Sequence, residues 1–302
     1  MIKKLSLYTF ALLATIVIFS SCKKDYTTVQ MMDENILTDF FKKNNINAIP
    51  DSAKTGYYYV LNQPVAVPGD PVAEVYKLSD SVRYSITLTG FSNGIVYLST
   101  PALRNEGQRV GTTFGFYGKG IPAISQVLNK LKPGGSTKIY LPSYLAFGKN
   151  GFPTANIPSN EIMVISITTY KESQKELDDV HLKAYIAANS FTDVIKDASG
   201  IYYQILAPAT GTDPITLISL VNFSYNLKTL DGGVTQDATT TFAPKDLIPA
   251  FRIMMPKFKK GNKVRMFLPS VLSYGNRAQD GTNSFPANSC LDYTVEILAV
   301  TP

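Results

Sequence analysis

Apolar residues recur along this chain in two rhythms. Alternation with a period of two runs through Gly56-Tyr57-Tyr58-Tyr59-Val60-Leu61, Gly200-Ile201-Tyr202-Tyr203-Gln204-Ile205-Leu206, Val221-Asn222-Phe223-Ser224-Tyr225 and Leu291 to Ile297, and it predicts half-buried strands. Helical spacing appears in Ile36, Leu37, Phe40 and Phe41, ending near Asn44-Asn45, and again in Leu182, Tyr185 and Ile186, ending near Asn189. Two more helical segments, Ile121 to Leu131 and Pro249 to Phe258, carry a proline near the entrance, where a missing N–H costs little. Turn signals at Pro68-Gly69-Asp70, Asn93-Gly94 and Asp231-Gly232-Gly233 separate the strands. Strands around one short helix predict an α+β unit in which an antiparallel sheet wraps the helix.

The pattern occurs twice. Leu268-Pro269-Ser270-Val271-Leu272-Ser273-Tyr274-Gly275 is echoed 127 positions earlier by Leu141-Pro142-Ser143-Tyr144-Leu145-Ala146-Phe147-Gly148. Leu247-Ile248-Pro249-Ala250-Phe251 is echoed at the same offset by Gly120-Ile121-Pro122-Ala123-Ile124, so two copies of one unit are expected. The amphipathic helices place one short helix before each copy. The expected organisation is a tether and short helix over 22–50, a first domain over 51–170, a connector helix over 171–195 and a second domain over 196–302.

The N-terminus adds an address. Met1-Ile2-Lys3-Lys4 is basic, Leu5 to Phe19 is apolar but short for a membrane span, and Ser20-Ser21-Cys22 closes it. This is similar to a bacterial lipoprotein signal over 1–21, with Phe19 departing from the usual Leu. The similarity implies lipidation of Cys22 and attachment to a membrane surface. Lys23-Lys24-Asp25 puts no Asp beside the cysteine and so implies no retention at the inner membrane. The outer membrane is expected, with its periplasmic or surface face left open. Removal of Lys3 and Lys4 lowers the formal charge of +6 by two, and the one basic cluster, Lys257, Lys259, Lys260, Lys263 and Arg265, brackets an expected hairpin turn at Gly261. A solvated turn is expected there, and no nucleic-acid partner.

With Cys22 acylated, Cys290 is the one cysteine left, which excludes an internal disulfide. His181 is the single histidine and reads as a surface residue of the connector helix. Without paired Cys or His ligands or a glycine-rich phosphate loop, neither a metal nor a cofactor is expected. Nor does the sequence assemble a covalent triad, because Leu291 and Tyr293 take the strand face opposite to Cys290.

The repeated blocks carry a family likeness. Val221 to Tyr225, Leu247 to Phe251, Lys260-Gly261-Asn262-Lys263, Leu268 to Gly275 and Leu291 to Ile297 follow in order and spacing the core of FKBP-type peptidyl-prolyl isomerases, which the chain resembles over roughly 51–170 and 196–302. The resemblance implies a membrane-anchored prolyl isomerase or folding helper for exported proteins, acting on proline-containing polypeptides, with any activity in the second domain. It assigns the pocket to Tyr225, Leu247, Ile248, Phe251, Phe285 and Tyr293, with Phe251 as an aromatic floor where the family has Trp. Tyr274 would donate its hydroxyl to a substrate carbonyl, and the backbone N–H of Ile248 would be the second donor. Such a pocket suits a reaction that breaks no bond: desolvating the amide and fitting its twisted form lowers a barrier of roughly 18–20 kcal/mol.

Two departures temper that reading. The family's Phe-Asp after the hairpin falls on Thr235-Gln236, and Asp237, one residue late, reaches the pocket only if a bulge intervenes. The first copy has Ile86, Gly120, Ile121, Ile124, Phe147 and Ile165 where the second has Tyr225, Leu247, Ile248, Phe251, Tyr274 and Tyr293. It keeps the hydrophobic pattern but loses the aromatic floor and the hydroxyl, and a dimerising, spacing or chaperone-like role is expected. The alternative is a non-catalytic envelope lipoprotein that binds a polypeptide or protein partner. Aromatics stacking on a glycan form a third, remoter reading, for which no Trp is available.

Overall fold

The computed structural model describes residues 28–65, 73–276 and 285–301. The signal segment, Cys22 and the Pro68-Gly69-Asp70 turn lie outside the described residues. No helix among those described is long and apolar enough to cross a membrane.

The chain divides into two compact units, Met1–Ile46 and Asn47–Pro302. The first carries helix α1 (Val29–Lys43), capped by Thr28, whose side chain accepts from the Met31 N–H at 3.2 Å. Asp33, Leu37 and Phe41 repeat every four residues on one face and are buried.

The second unit holds two main antiparallel sheets built alike. The first contains β1 (Ile49–Pro50), β2 (Tyr58–Asn62), β3 (Ser81–Gly90), β4 (Val96–Ser99), β5 (Glu106–Arg109), β8 (Ser136–Leu141) and β9 (Met163–Thr169). A small hairpin of β6 (Phe114–Phe116) and β7 (Lys119–Ile121) leads into helix α2 (Pro122–Leu128). The second contains β10 (Ile195–Lys196), β11 (Tyr202–Ala207), β12 (Leu220–Thr229), β13 (Thr235–Phe242), β14 (Lys263–Leu268) and β15 (Leu291–Thr301), with helix α4 (Pro249–Met254) between β13 and β14. The orders β1-β2-β8-β9-β3-β4 and β10-β11-β14-β15-β12-β13 correspond strand for strand, with β5 an extra partner of β3. The duplicated sequence has thus folded twice into the same α+β topology, an antiparallel sheet wrapped around one short helix.

Alternation places the core. Val82, Tyr84, Ile86 and Leu88 of β3 point inward onto Ile124, Val127 and Leu128 of α2, and Val221, Phe223 and Leu227 of β12 onto Phe251 and Met254 of α4. Each such large side chain taken from water contributes roughly 1.5–3 kcal/mol. Both helices are shorter than the periodicity predicts. Past Leu128 the N–H groups of Lys130 and Leu131 bond three residues back instead of four, and past Met254 the segment Met255–Lys257 tightens into a 3-10 turn around Pro256, which has no N–H to give.

Helix α3 (Gln174–Ala188) joins the two sheets. It opens with a capping box, in which Ser173 Oγ accepts from the Glu176 N–H and the Glu176 carboxylate accepts from the Ser173 N–H. It packs on the outer face of the second sheet, placing Leu182 and Tyr185 against Tyr202, Phe267 and Cys290. Under it the Tyr185 hydroxyl donates to Asp292 Oδ2 at 2.8 Å, and Arg265 grips the same carboxylate through Nε at 2.8 Å and Nη2 at 2.5 Å. The Arg265 guanidinium also lies 3.8 Å over the Phe191 ring.

Two surface expectations are corrected here. Gly261 does turn, with φ +87, but it leads from the 3-10 segment into β14, and Arg265 of the basic cluster is half-buried and ion-paired. His181 is not on the surface: α3 turns it inward, to 7% exposure, beside Asp178 and Cys290. Burial lowers its pKa below the usual histidine value, against the pull of the Asp178 carboxylate. Its flanking charged residues mimic a solvated helix face, and the docking surface that covers it is supplied by strands far along the chain.

At the β10–β11 turn, Asp197 pairs with Lys257, and hydrogen bonds from Lys257 and then Ser199 hold its carboxyl well below the usual range. A carboxyl depressed in the folded state adds stability above its unfolded pKa of about 4 and loses it as pH falls toward the folded value. Asp197→Asn is therefore expected to flatten the acid limb of a stability–pH curve below about pH 4. An unchanged limb in urea titrations would show that the pair contributes nothing.

Candidate functional site

The site begins with β12, whose inward residues Phe223 and Tyr225 face β15. Tyr225 lies opposite Val295 and Leu227 opposite Tyr293 in the ladder. Tyr225 and Tyr293 therefore meet diagonally, with ring centroids 5.7 Å apart. Helix α4 supplies the floor. Pro249 opens it in the first turn, and Phe251, two residues later, points down, 5.7 Å from Phe223 and 5.1 Å from Tyr293 in an edge-on arrangement of 78°. Arg252 Nε donates to the Leu247 carbonyl at 2.8 Å and holds the lip of the cavity in place.

Tyr274 arrives from the loop after β14. The Gly275 N–H bonds back to the Ser270 carbonyl at 2.8 Å, and Gly275 takes φ +66, a conformation open to glycine. Tyr274 stacks on the buried Phe285 at 5.0 Å with the rings 7° apart. These elements enclose a cavity of about 270 Å³ lined by Tyr225, Leu247, Ile248, Phe251, Tyr274 and Tyr293, with Phe223 and Phe242 and part of β13 completing the wall.

Six of the seven expected pocket residues thus line one cavity, and Phe285 supports it from behind Tyr274. Phe223, Phe242, Ala238, Thr239 and Thr240 are lining residues that sequence reasoning missed. Alternation around Tyr225 marks Phe223, whereas the β13 residues needed the cross-strand register.

Electrostatically the cavity is a phenol cluster in an apolar wall. Burial, followed by the neighbouring Tyr274 phenol and its hydrogen bond, pushes the Tyr293 hydroxyl far above its ordinary pKa. Burial and then Tyr274 raise Tyr225 as well. The hydroxyls of Tyr225 and Tyr293 therefore stay protonated at neutral pH. The Ile248 N–H has no hydrogen-bond partner among the described residues. A carbonyl oxygen entering here meets a backbone donor beside aromatic rings.

The rim carboxylate is missing. β12 and β13 pair without a break from Val221–Phe242 to Lys228–Thr235, so no bulge rotates Asp237 inward. Asp237 lies opposite Asn226 and accepts from its side-chain amide at 2.6 Å on the outer face, while Ala238 takes the inward place across from Tyr225.

In the first sheet the corresponding positions are aliphatic, glycine or phenylalanine. Ile86, Ile121, Ile124 and Ile165 are buried in its core. The β6–β7 hairpin pairs Phe114 with Ile121, and Phe116 packs on Phe147 at 6.0 Å, which in turn meets Phe152 at 5.4 Å.

Residues 215–298 match the FKBP_C family, FKBP-type peptidyl-prolyl cis-trans isomerase. The chain is 33% identical over 134 residues to the FKBP-type peptidyl-prolyl cis-trans isomerase FkpA of Aeromonas hydrophila, covering 43% of this chain and 47% of that protein. It is 29% identical over 109 residues to FkpA of Escherichia coli K12, covering 35% and 39%. The three FKBP domains of wheat FKBP73 align over 84% of this chain and 99% of that structure, at 18% identity and a TM-score of 0.33. The matches span less than half the length of these curated relatives. The family match lies on the strands and helix that build the aromatic cavity, and over residues 215–298 the chain is similar to the FKBP-type peptidyl-prolyl cis-trans isomerases.

Proposed function

We propose that this chain is a prolyl isomerase and folding helper for exported polypeptides, held at the cell envelope by lipidated Cys22, with catalysis confined to the second domain. The aromatic cavity carries this reading. A prolyl ring enters over Phe251, the Ile248 N–H donates to the carbonyl oxygen, and the Tyr274 phenol lies at the mouth. Water is stripped from the amide, and the wall fits the twisted C–N bond better than either planar form. No proton is transferred and no covalent bond is made, so the reading needs no nucleophile.

The outward Asp237 favours a second reading, a binder of extended, proline-bearing segments with little turnover. Rate measurements separate the two. Spontaneous exchange of an X-Pro peptide takes tens to hundreds of seconds. The full chain is expected to shorten it in proportion to protein concentration, and Tyr274→Phe is expected to slow the catalysed exchange. Peptide binding without acceleration would leave the binder. The first domain, with Ile124 in place of the aromatic floor and Phe147 in place of the tyrosine hydroxyl, serves as a spacer or a polypeptide-binding platform.

A further inference from the structure

Asp178, His181 and Cys290 form a cluster that the isomerase pocket does not use. Asp178 and His181 stand three residues apart on one face of α3, and Cys290 immediately precedes β15 on the sheet surface beneath. Their nitrogen, oxygen and sulfur donors all lie within 4.8 Å of one another. All three side chains are buried: Asp178 at 0%, Cys290 at 1% and His181 at 7% exposure. The decisive observation is His181 Nδ1, a buried ring nitrogen without a hydrogen-bond partner. A buried polar atom left unpaired is destabilising, so its persistence calls for an occupant.

The rest of the cluster is prepared for one. The Asp178 carboxylate accepts from Ser270 Oγ at 2.8 and 2.9 Å, from the Val271 N–H at 3.2 Å and from Gln174 Nε2 at 2.8 Å. Those neutral donors fix its orientation, as the outer partners of a ligating carboxylate do. No cation pairs with it among the described residues, so the carboxylate stands beside a thiol and an imidazole whose Nδ1 has no partner. That donor set suits a borderline-soft divalent ion and is poorly matched to calcium or magnesium, which take oxygen ligands.

We infer that Cys290, His181 and Asp178 bind a zinc-type divalent cation, clamping the connector helix α3 onto the second sheet. Donors about 2.0–2.3 Å from a tetrahedral ion sit roughly 3.3–3.8 Å from each other, so side-chain movements of about 1 Å close the site. On binding, the Cys290 thiol releases its proton to solvent and forms the metal–sulfur bond. His181 and Asp178 donate lone pairs, and water fills the fourth position. The role is structural: the cluster lies on the outer face of the sheet, away from the residues lining the aromatic cavity.

The test uses the reduced, tag-free full chain carrying Cys22→Ser, in which Cys290 is the one remaining thiol. Titration with cobalt(II) alone is expected to produce a thiolate-to-metal charge-transfer band saturating at one equivalent. Zinc should displace the cobalt, and zinc should raise the melting temperature. His181→Gln is expected to weaken binding at least about tenfold, and Cys290→Ser to remove the band. A folded chain showing no band and no zinc dependence of its melting temperature overturns the inference, as does a band that survives Cys290→Ser. Either outcome leaves prolyl isomerisation untouched.

Discussion

Asp292→Ala is expected to destabilise the second domain by roughly 3–5 kcal/mol, the cost of stranding a buried charge when its partner is removed. Asp292 is 2% exposed and carries three partners at once: the Tyr185 hydroxyl of α3, the bidentate Arg265 of β14, and Lys228 of β12 at 3.6 Å. Removing the carboxylate leaves the Arg265 guanidinium between Phe191 and Phe267 without its anion. It also takes from the Tyr185 hydroxyl, held protonated by burial and by this carboxylate, its acceptor. The loss should appear as a lower urea midpoint, followed by tyrosine fluorescence because the chain contains no Trp. A change below about 1 kcal/mol would mean that the pair behaves like a surface salt bridge and that α3 is held by its other contacts.

Phe251→Ala should combine a stability loss with a functional one. Phe251 is 3% exposed, and truncating a buried phenylalanine costs about 3–5 kcal/mol through lost burial and the cavity left behind. It also removes the floor on which a prolyl ring would rest. The control is its positional counterpart Ile124→Ala, fully buried under the first sheet, with an expected cost of about 2–5 kcal/mol. Compared at a temperature where circular dichroism shows both variants folded, Phe251→Ala should lose at least about a factor of ten in catalysed exchange, equivalent to roughly 1.4 kcal/mol of transition-state stabilisation. Ile124→Ala should keep the wild-type rate. Equal losses in the two variants would place the activity elsewhere or make it a property of global stability.

These effects differ in how far they can be read from the chain itself. The paired blocks ending in Leu141 to Gly148 and Leu268 to Gly275 declare the duplication, because prolines and glycines fix the loops that hold each copy together. The strand orders agree with it. The helix ends were readable at Asn44 and Asn189, where asparagines close α1 and α3.

The register of β13 was not readable. Thr235-Gln236-Asp237-Ala238-Thr239-Thr240-Thr241-Phe242 has almost no apolar alternation, so its inward face is set by pairing with β12. The Asp292 network and the cluster around His181 escaped for a related reason. Periodicity describes one element's own faces, whereas these sites exist only where α3 meets β14 and β15. The Tyr225–Tyr274–Tyr293 cavity lay between these cases: the resemblance supplied its members, and the fold supplied their juxtaposition.

The most direct measurement of the central claim is a titration of the isotope-labelled full chain with an X-Pro peptide, followed by amide and peptide exchange spectra together. The account predicts that the Ile248 N–H and amides near Tyr225 and Tyr274 shift while those of Ile121 and Ile124 stay still, with peptide cis and trans signals exchanging faster than the spontaneous rate. Shifts confined to the first domain, or an Ile248 amide that does not move under saturating peptide, would contradict it.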